Sequence, residues 1–251
     1  MVTPSGSVQL SARGLSKRFP NGTQALYDVS VDIYAGEFLV IIGTSGAGKS
    51  TFLRSINGLV RPSGGSITYQ GLDLCTAKGV ALRRARRQMG MIFQQFNLVK
   101  RMSVLQNVLV GRLGYQSGWR TLVPLFRQRD VDLALDALER VGIADKAYVR
   151  ADSLSGGQQQ RVAIARALAQ QPSLMLADEP VASLDPETSI TVLDDLRRIN
   201  REQGITTIVN LHQLDFAREY ADRVIGFKQG RLVFDGRPDE LDRNVYERVY
   251  R

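Results

Sequence analysis

The stretch FLVIIGTSGAGKST, residues 38–51, decides the fold. It begins with a continuous apolar run of strand length, which is typical of a strand buried on both faces of a sheet. The segment GTSGAGKS, residues 43–50, then matches the pattern G-x-x-x-x-G-K-[ST] in full, and the following KSTFLRSINGL predicts a helix. A buried strand, a glycine-rich turn and a helix in this order are the context that a P-loop requires. We therefore predict a nucleotide phosphate site here.

The chemistry of this loop follows from its spacing. Its glycines allow the backbone N–H groups to point inward, where they and the positive end of the next helix can hold phosphate oxygens. Lys49 is expected to reach the β- and γ-phosphates, and the Ser50 hydroxyl is expected to bind Mg²⁺. The loop thus predicts a nucleoside triphosphate and Mg²⁺ as cofactors. The predicted loop contacts are Gly43, Thr44, Ser45, Gly46, Ala47, Gly48, Lys49, Ser50 and Thr51.

A second apolar run ends in two carboxylates, in SLMLADEP, residues 173–180. A P-loop protein needs an acidic residue at the end of a neighbouring strand to hold Mg²⁺, and Asp178 fits that position. Glu179 then becomes the candidate that polarises the attacking water. Without the P-loop, the same pair would be interpreted as a charged turn.

The segment LSGGQ, residues 154–158, opens another predicted helix with a serine and two glycines. Free backbone amides at a helix N-terminus make a second anion site. One P-loop and a separate second phosphate-binding turn in a single chain favour a symmetric dimer, in which each copy offers its turn to the other copy's nucleotide.

Strands and helices alternate along the rest of the chain. SLMLAD, TTIVNL, RVIGF and RLVFDG read as strands, and a helical pattern separates the first two. Residues from about 95 to 170 are helical in character: one helix is expected between an N-cap at Asp130 and a stop at Gly142, and another from Ser155 to just before Pro172. The pattern predicts an α/β fold with a parallel core sheet.

Composition narrows the class of protein. The 251 residues are 43% hydrophobic and 23% charged, as in ordinary globular proteins, and no apolar run is long enough for a membrane span. The single Cys75 fits a reducing compartment. The formal net charge of +8 permits an anionic neighbour. The basic run RRARRQ, residues 83–88, is either a contact patch or a solvated helix face.

Taken together, the P-loop, LSGGQ and LADEP resemble the ATP-binding subunits of ABC transporters, over essentially the whole chain. The resemblance implies a P-loop NTPase fold with an N-terminal antiparallel β subdomain, a RecA-like core and an inserted helical subdomain. Residues 1–251 would form one ABC ATP-binding domain, with the helical subdomain at approximately 96–170.

The resemblance also implies roles for single residues. Phe19 matches the aromatic residue that stacks on adenine. Gln94 matches the glutamine that contacts Mg²⁺ and relays to the membrane partner, with Gln95 as the alternative. Asp185 matches the loop that crosses the dimer interface, although it also precedes Pro186 and can cap the next helix. His212, the only histidine, matches the switch histidine that reaches the γ-phosphate. The LSGGQ segment, residues 154–158, is called the signature turn below. Its expected nucleotide contacts are Ser155, Gly156, Gly157 and Gln158.

Two stretches resemble one branch of the family, the ATPases of bacterial phosphonate importers. VNLHQLDFA, residues 209–217, departs from the THD or SHD around the switch histidine of many relatives. Residues 111–143 are longer than the same region in many of them, and they carry Trp119, the only tryptophan. Thr44 stands where many of these importers have proline, which the phosphate argument does not require.

The resemblance implies an ATPase that energises uptake of phosphonates or related phosphorus oxyanions. Its expected partners are a second copy, membrane-spanning permease subunits and, indirectly, a periplasmic or lipid-anchored substrate-binding protein. It would lie peripherally at the cytoplasmic face of the inner membrane. The alternatives are another importer or an efflux system and, more remotely, a soluble ATPase acting on nucleic acid or the ribosome. About a hundred residues between Lys49 and Ser155 leave no room for a long heptad-repeat arm, so nucleic acid is not an expected partner.

Overall fold

The computed structural model describes residues 6–116 and 126–251, and it contains two sheets. The first is antiparallel with strand order β2-β1-β4-β5, and the second has strand order β10-β9-β3-β8-β7-β6. This architecture confirms the predicted α/β fold with an N-terminal antiparallel sheet. The strands are β1 Val8–Arg18, β2 Gln24–Tyr34, β3 Phe38–Ile42, β4 Gly64–Tyr69, β5 Leu72–Asp73, β6 Met89–Ile92, β7 Leu174–Asp178, β8 Thr206–Asn210, β9 Arg223–Lys228 and β10 Arg231–Gly236.

The centre of the second sheet is parallel and fully buried. Strand β3 lies between β8 and β9, and β8 also pairs with β7; every residue of β3, β7 and β8 is buried. This explains the apolar composition of β3 and of β7 up to Asp178, while β8 also buries two threonines and Asn210. The register pairs Asp178 with Asn210 and Ile41 with Asn210. Because these strands run in the same direction, their carboxyl ends meet at one edge, where α/β sheets bind ligands.

The helices are α1 Lys49–Ile56, α2 Gly79–Arg87, α3 Val104–Leu109, α4 Gln128–Arg140, α5 Gly156–Leu168, α6 Pro186–Gln203, α7 Leu214–Tyr220 and α8 Arg243–Tyr250. Helices α3, α4 and α5 lie between β6 and β7 in the chain and share one apolar core. Their position agrees with a helical insertion, while the subdomain boundaries near residues 96 and 170 stay a prediction. Trp119 lies outside the described residues.

Sequence reasoning found the ends of several helices. Ser155 is the N-cap of α5, and Asp185 is the N-cap of α6, where Pro186 takes the first helical position. Gly142 follows the end of α4 with a positive φ of 64°, as a helix stop requires.

The expected N-cap at Asp130 is wrong. Helix α4 begins earlier, with Arg127 at the cap and Asp130 in the first turn. The Asp130 carboxylate instead accepts a hydrogen bond from Arg112 Nε at 2.8 Å, and both side chains are buried. Arg112 also donates to the Ala169 carbonyl at the end of α5. A partner distant in the sequence therefore uses the carboxylate that local spacing assigned to a cap.

No helix within residues 6–116 and 126–251 combines the length and the apolarity that a bilayer crossing requires.

We expect Asp130→Ala to lower the free energy of unfolding by about 3 kcal/mol, because it leaves the Arg112 guanidinium buried without its carboxylate. Urea unfolding at equilibrium measures this change. The matched control is Asp136→Ala on the same helix, whose exposed pair with Arg140 is expected to contribute less than about 0.5 kcal/mol. Equal losses in the two variants would contradict a structural role for the buried pair.

Candidate functional site

Glycines shape the loop between β3 and α1 because it lies close to other backbone. Gly43 has φ 146°, and a Cβ there would lie 2.3 Å from the Phe227 carbonyl oxygen. Gly48 has φ 104°, and a Cβ there would lie 2.5 Å from the Ala25 carbonyl oxygen. A side chain at either position would force the loop outward. The glycines therefore let the loop turn tightly into the N-terminus of α1.

Lys49 begins α1 and is buried, with 3% of its surface exposed. Its Nζ donates to the carbonyl oxygens of Gly43 at 2.8 Å and Thr44 at 3.1 Å. Burial lowers the pKa of the ammonium, while the carboxylates of Glu179 and Asp178 act in the opposite direction. The loop thus closes around a cation whose hydrogen-bond partners are its own carbonyl groups.

Asp178, at the end of β7, has 1% of its surface exposed and accepts three hydrogen bonds. Ser50 Oγ donates to Oδ1 at 2.6 Å, Asn210 Nδ2 donates to Oδ1 at 2.8 Å, and Arg54 Nη2 donates to Oδ2 at 3.1 Å. The predicted hydroxyl and carboxylate ligands are therefore in direct contact. Hard oxygen atoms of this kind fit Mg²⁺, which takes one or two carboxylates besides substrate phosphates and water.

Glu179 and His212 form the second close pair. His212 follows β8, and its Nε2 lies 2.6 Å from Glu179 Oε1. Glu179 adopts a positive φ of 54°, which is uncommon for a residue other than glycine and directs the chain away from the end of β7. The sheet thus brings the residue after β7 into contact with the residue that follows β8 by two positions.

The signature turn is organised by its own cap. Ser155 accepts a hydrogen bond from the Gln158 backbone N–H, and the Gln158 side chain accepts one from the Ser155 N–H. Gly157 has no room for a side chain, since a Cβ there would lie 2.3 Å from Thr188 Cγ2 in α6. The turn therefore packs closely on the first turn of α6.

Asp185 lies at that same helix end. Its carboxylate accepts from the Thr188 hydroxyl at 2.6 Å and from the Thr188 backbone N–H at 2.9 Å. These bonds, the one from the hydroxyl first, hold the pKa of Asp185 below its usual range. Within the described part of the chain, no side-chain hydrogen bond joins Asp185 or the signature turn to Lys49, Ser50 or Asp178.

The remaining predicted site residues are not bonded to this centre. Gln94 and Gln95 are exposed in the loop after β6, and neither side chain has a hydrogen bond to Ser50 or Asp178 in the described residues. The choice between them stays a prediction. Phe19 is half-buried just after β1, and the Lys17 ammonium lies 5.0 Å from its ring centroid.

Sequence reasoning missed Arg54 and Asn210. Arg54 lies one helical turn beyond Ser50, so its spacing could have placed it on the same face of α1. Asn210 is a polar residue in an otherwise apolar end of β8, and a buried polar group needs a partner. These two signals were available in the sequence.

The basic run on α2 is only partly a solvated face. Arg83 and Arg84 are exposed, but Arg86 donates from Nε to the Asn57 carbonyl at 3.0 Å and from Nη2 to the Gly58 carbonyl at 2.7 Å. A groove of about 440 Å³ opens between α2, β6 and the ends of α3 and α5. Four arginines line it together with apolar residues; the lining includes Arg83, Arg86, Arg87, Arg166, Met91 and Phe93.

Curated relatives match the chain along nearly its full length. The phosphonates import ATP-binding protein PhnC of Shouchella clausii is 57% identical over 241 residues, which cover 96% of this chain and 91% of that protein. The protein of the same name from Lactobacillus johnsonii is 53% identical, covering 96% of this chain and 95% of that protein.

Solved structures share the fold. A dimeric ATP-binding cassette in a post-hydrolysis state, bound to ADP and Pi, superimposes with a TM-score of 0.80 at 33% identity, covering 91% of this chain and 98% of that one. A nucleotide-free ATP-binding cassette from an ABC transporter gives 0.84 at 26% identity, covering 96% and 98%. The ABC transporter family profile matches residues 26–182. With the P-loop, Asp178, Glu179 and His212 assembled at one sheet edge, the chain belongs to the family of ABC transporter ATP-binding subunits.

Proposed function

We propose that this protein is the ATP-hydrolysing subunit of an ABC importer for phosphonates or related phosphorus oxyanions. Two close contacts beside the P-loop carry the ATPase assignment. Ser50 Oγ lies 2.6 Å from Asp178 Oδ1, and His212 Nε2 lies 2.6 Å from Glu179 Oε1. The transported class rests on the relatives, which are named for phosphonate import and share more than half of their residues with this chain.

ATP and Mg²⁺ fit the groups at this edge. The backbone N–H groups of residues 43–51 and the Lys49 ammonium hold the phosphates, while Phe19 stacks on the adenine. Ser50 and Asp178 hold Mg²⁺, with Gln94 as a further ligand. The adjacent hydroxyl and carboxylate support this assignment, since both are oxygen donors already directed at one another. The bound metal neutralises charge that develops on the phosphate oxygens.

Glu179 orients the attacking water and accepts its proton, and His212 contacts the γ-phosphate. The direct contact between their side chains supports a shared task, because the imidazole holds the carboxylate in place until nucleotide arrives. When the nucleotide binds, the Lys49 ammonium exchanges its hydrogen bonds to the Gly43 and Thr44 carbonyls for hydrogen bonds to phosphate oxygens.

The working unit is a homodimer. The cap of α5 uses the N–H groups of Ser155 and Gln158, and the N–H groups of the half-buried Gly156 and Gly157 supply hydrogen bonds to the partner copy's nucleotide. The exposed Asp185 loop crosses the interface beside it. The similarity to a dimeric cassette bound to ADP and Pi supports the dimer.

The groove beside α2 receives the permease. It is lined by arginines and apolar side chains, which suits a short cytoplasmic helix of the membrane subunit that carries acidic and apolar residues. Phe93 lines the groove and Gln94 follows it in the chain, so the loop after β6 joins the docking surface to the nucleotide site. On the other side of the groove lie Val110, at the end of α3, and Arg166 of α5, both within the proposed helical subdomain of approximately residues 96–170.

The protein therefore lies peripherally at the cytoplasmic face of the inner membrane. The substrate-binding protein acts on it indirectly, through the permease, and no nucleic acid partner is expected.

The direct test of the transported class is reconstitution of the chain with its permease and binding protein in lipid vesicles. Methylphosphonate should stimulate ATP hydrolysis, whereas sulfate should not. Stimulation by unrelated solutes such as amino acids would reject the phosphorus oxyanion assignment.

We expect Glu179→Gln to slow ATP hydrolysis by roughly 10²- to 10⁴-fold, the usual contribution of a general base, while ATP remains bound and the dimer stays closed. Phosphate release gives the rate, and gel filtration with ATP gives the oligomeric state. Glu202→Gln, at the exposed end of α6, is the matched control and should hydrolyse at the wild-type rate. A Glu179→Gln variant as fast as this control would remove Glu179 from its role.

The imidazole of His212 should respond to the γ-phosphate. It is the only histidine of the chain, so the imidazole NMR resonances of labelled protein need no further assignment. A non-hydrolysable ATP analogue with Mg²⁺ should shift them clearly more than ADP does, because ADP lacks the contacting group. Identical spectra with both nucleotides, under conditions where both are bound, would contradict the γ-phosphate contact.

Reversal of one charge in the groove should weaken permease binding. We expect Arg83→Glu to reduce the amount of permease that co-purifies with the chain by about tenfold, the effect of a like-charge contact of about 1.4 kcal/mol. Arg84→Glu is the matched control, because Arg84 is on the same helix but does not line the groove. Equal co-purification of the two variants would place the docking surface elsewhere.

A further inference from the structure

Asn210 is the last residue of β8, and none of its surface is exposed. It lies between two neighbouring strands, in register with Asp178 of β7 and Ile41 of β3. Its Nδ2 donates a hydrogen bond of 2.8 Å to Asp178 Oδ1. The main core sheet thus directs a neutral amide at the carboxylate that belongs to the metal site.

The oxygen of the same amide has no hydrogen-bond partner among the described residues. The two threonines of β8 differ in this respect. Thr206 Oγ1 bonds to the Gln9 side chain, and Thr207 Oγ1 donates to the Ile205 carbonyl at 3.1 Å. A buried acceptor without a partner costs about 1–3 kcal/mol, so such atoms are rare unless water or an ion satisfies them.

An apolar residue would remove that cost. Ile208, two positions earlier on the same face of β8, is apolar and fully buried, so this face of the strand accepts an apolar side chain. The amide is nevertheless the group in contact with Asp178. Unlike an apolar side chain, the Asn210 amide has an N–H that donates to the carboxylate and an oxygen that can accept a hydrogen bond.

The second oxygen of Asp178 is also held. Arg54 Nη2 donates to Oδ2 at 3.1 Å, while Asn210 donates to Oδ1. The two donors come from different elements, α1 and β8, and together they restrict rotation of the carboxylate about its Cβ–Cγ bond. Ser50 shares Oδ1 with Asn210, so the amide still holds this oxygen if the hydroxyl turns to a metal.

We propose that Asn210 is a positioning residue of the metal site: its amide N–H holds Asp178, and its amide oxygen accepts a hydrogen bond from a water bound to Mg²⁺. Mg²⁺ keeps several waters in sites built from few carboxylates, and each of those waters needs an acceptor. This inference rests on the proposed ATP and Mg²⁺ function. It adds a residue that neither the P-loop pattern nor the predicted metal ligands include.

The test measures metal affinity without catalysis. Mn²⁺ replaces Mg²⁺, ADP replaces ATP, and the electron paramagnetic resonance signal of free Mn²⁺ gives the dissociation constant of the ternary complex. Asn210→Leu, which is close in shape and apolar, should weaken Mn²⁺ binding by about 10-fold or more, as loss of an outer partner of a metal ligand does. ADP binding in EDTA should equal that of the wild type.

Thr207→Val is the matched control, because it removes a buried polar group of the same strand whose hydrogen bond goes to the Ile205 carbonyl and not to Asp178. It should bind Mn²⁺ as the wild type does. Should Asn210→Leu not fold, Asn210→Val supplies a β-branched residue suited to a strand and deletes the same amide. Circular dichroism and thermal unfolding establish that each variant is folded.

Two outcomes would overturn the inference. One is Mn²⁺ affinity in the Asn210 variants less than about two-fold weaker than wild type, against the 10- to 100-fold expected. The other is an equal loss in Thr207→Val. Asp178→Asn separates this failure from failure of the proposed function. If Asp178→Asn loses Mn²⁺ and the Asn210 variants do not, only the role of Asn210 is rejected. If ADP brings no Mn²⁺ to the wild-type protein, the metal site itself is rejected.

Discussion

The buried carboxylate of Asp178 is the group on which the site depends. It is almost fully removed from water, and three donors satisfy it: the Ser50 hydroxyl, the Asn210 amide and the Arg54 guanidinium. Burial of a carboxylate without partners is strongly unfavourable, so these three hydrogen bonds offset the cost of removing Asp178 from water. They come from α1 and β8, and β7 carries the carboxylate. The hydrogen bonds therefore fix the relative position of three elements as well as the charge.

The parallel register makes this contact possible. Strand β8 lies between β3 and β7, so the ends of all three strands fall at one edge and the residues beyond them share a small volume. The same geometry brings Glu179 and His212 together, although they lie 33 positions apart in the chain. Asp178 and Asn210 are the last residues of β7 and β8, so the rigid strands fix the distance between them. The polar side chains after the strands lie on loops, where they can exchange one partner for another.

The signature turn and the arginine-lined groove each connect to this sheet edge through one element of the structure. The signature turn packs on the first turn of α6, and Asp185 at that turn is only six positions beyond Glu179 in the chain. The arginine-lined groove includes Phe93, from which the chain continues directly into Gln94. Short segments thus join the signature turn and the groove to this sheet edge, and α3, α4 and α5 share one apolar core.

The sequence predicts the P-loop segment, the two helix caps and the acidic end of β7, because the signals for these features are local. The strand, glycine-rich loop and helix of residues 38–56 are contiguous, and so are the caps at Ser155 and Asp185; short-range sterics and hydrogen bonds dictate them. The acidic end of β7 could be assigned because an apolar run before it defines a buried strand. Strand pairing was less accessible, since it depends on which segments share faces, and an apolar run does not specify its neighbour.

The sequence by itself therefore determined the fold class, the P-loop and the identities of the candidate catalytic residues, because each is encoded in a short stretch with its own physical reason. Only the tertiary structure decided which side chains meet. It paired Asp130 with Arg112 where local spacing predicted a cap, and it put part of a basic run into a groove. It also placed Asn210 against Asp178, with no hydrogen-bond partner for the Asn210 amide oxygen among residues 6–116 and 126–251. These contacts join residues far apart in the chain, and they arise from the register of a parallel sheet and the packing of helices upon it, neither of which a local pattern contains.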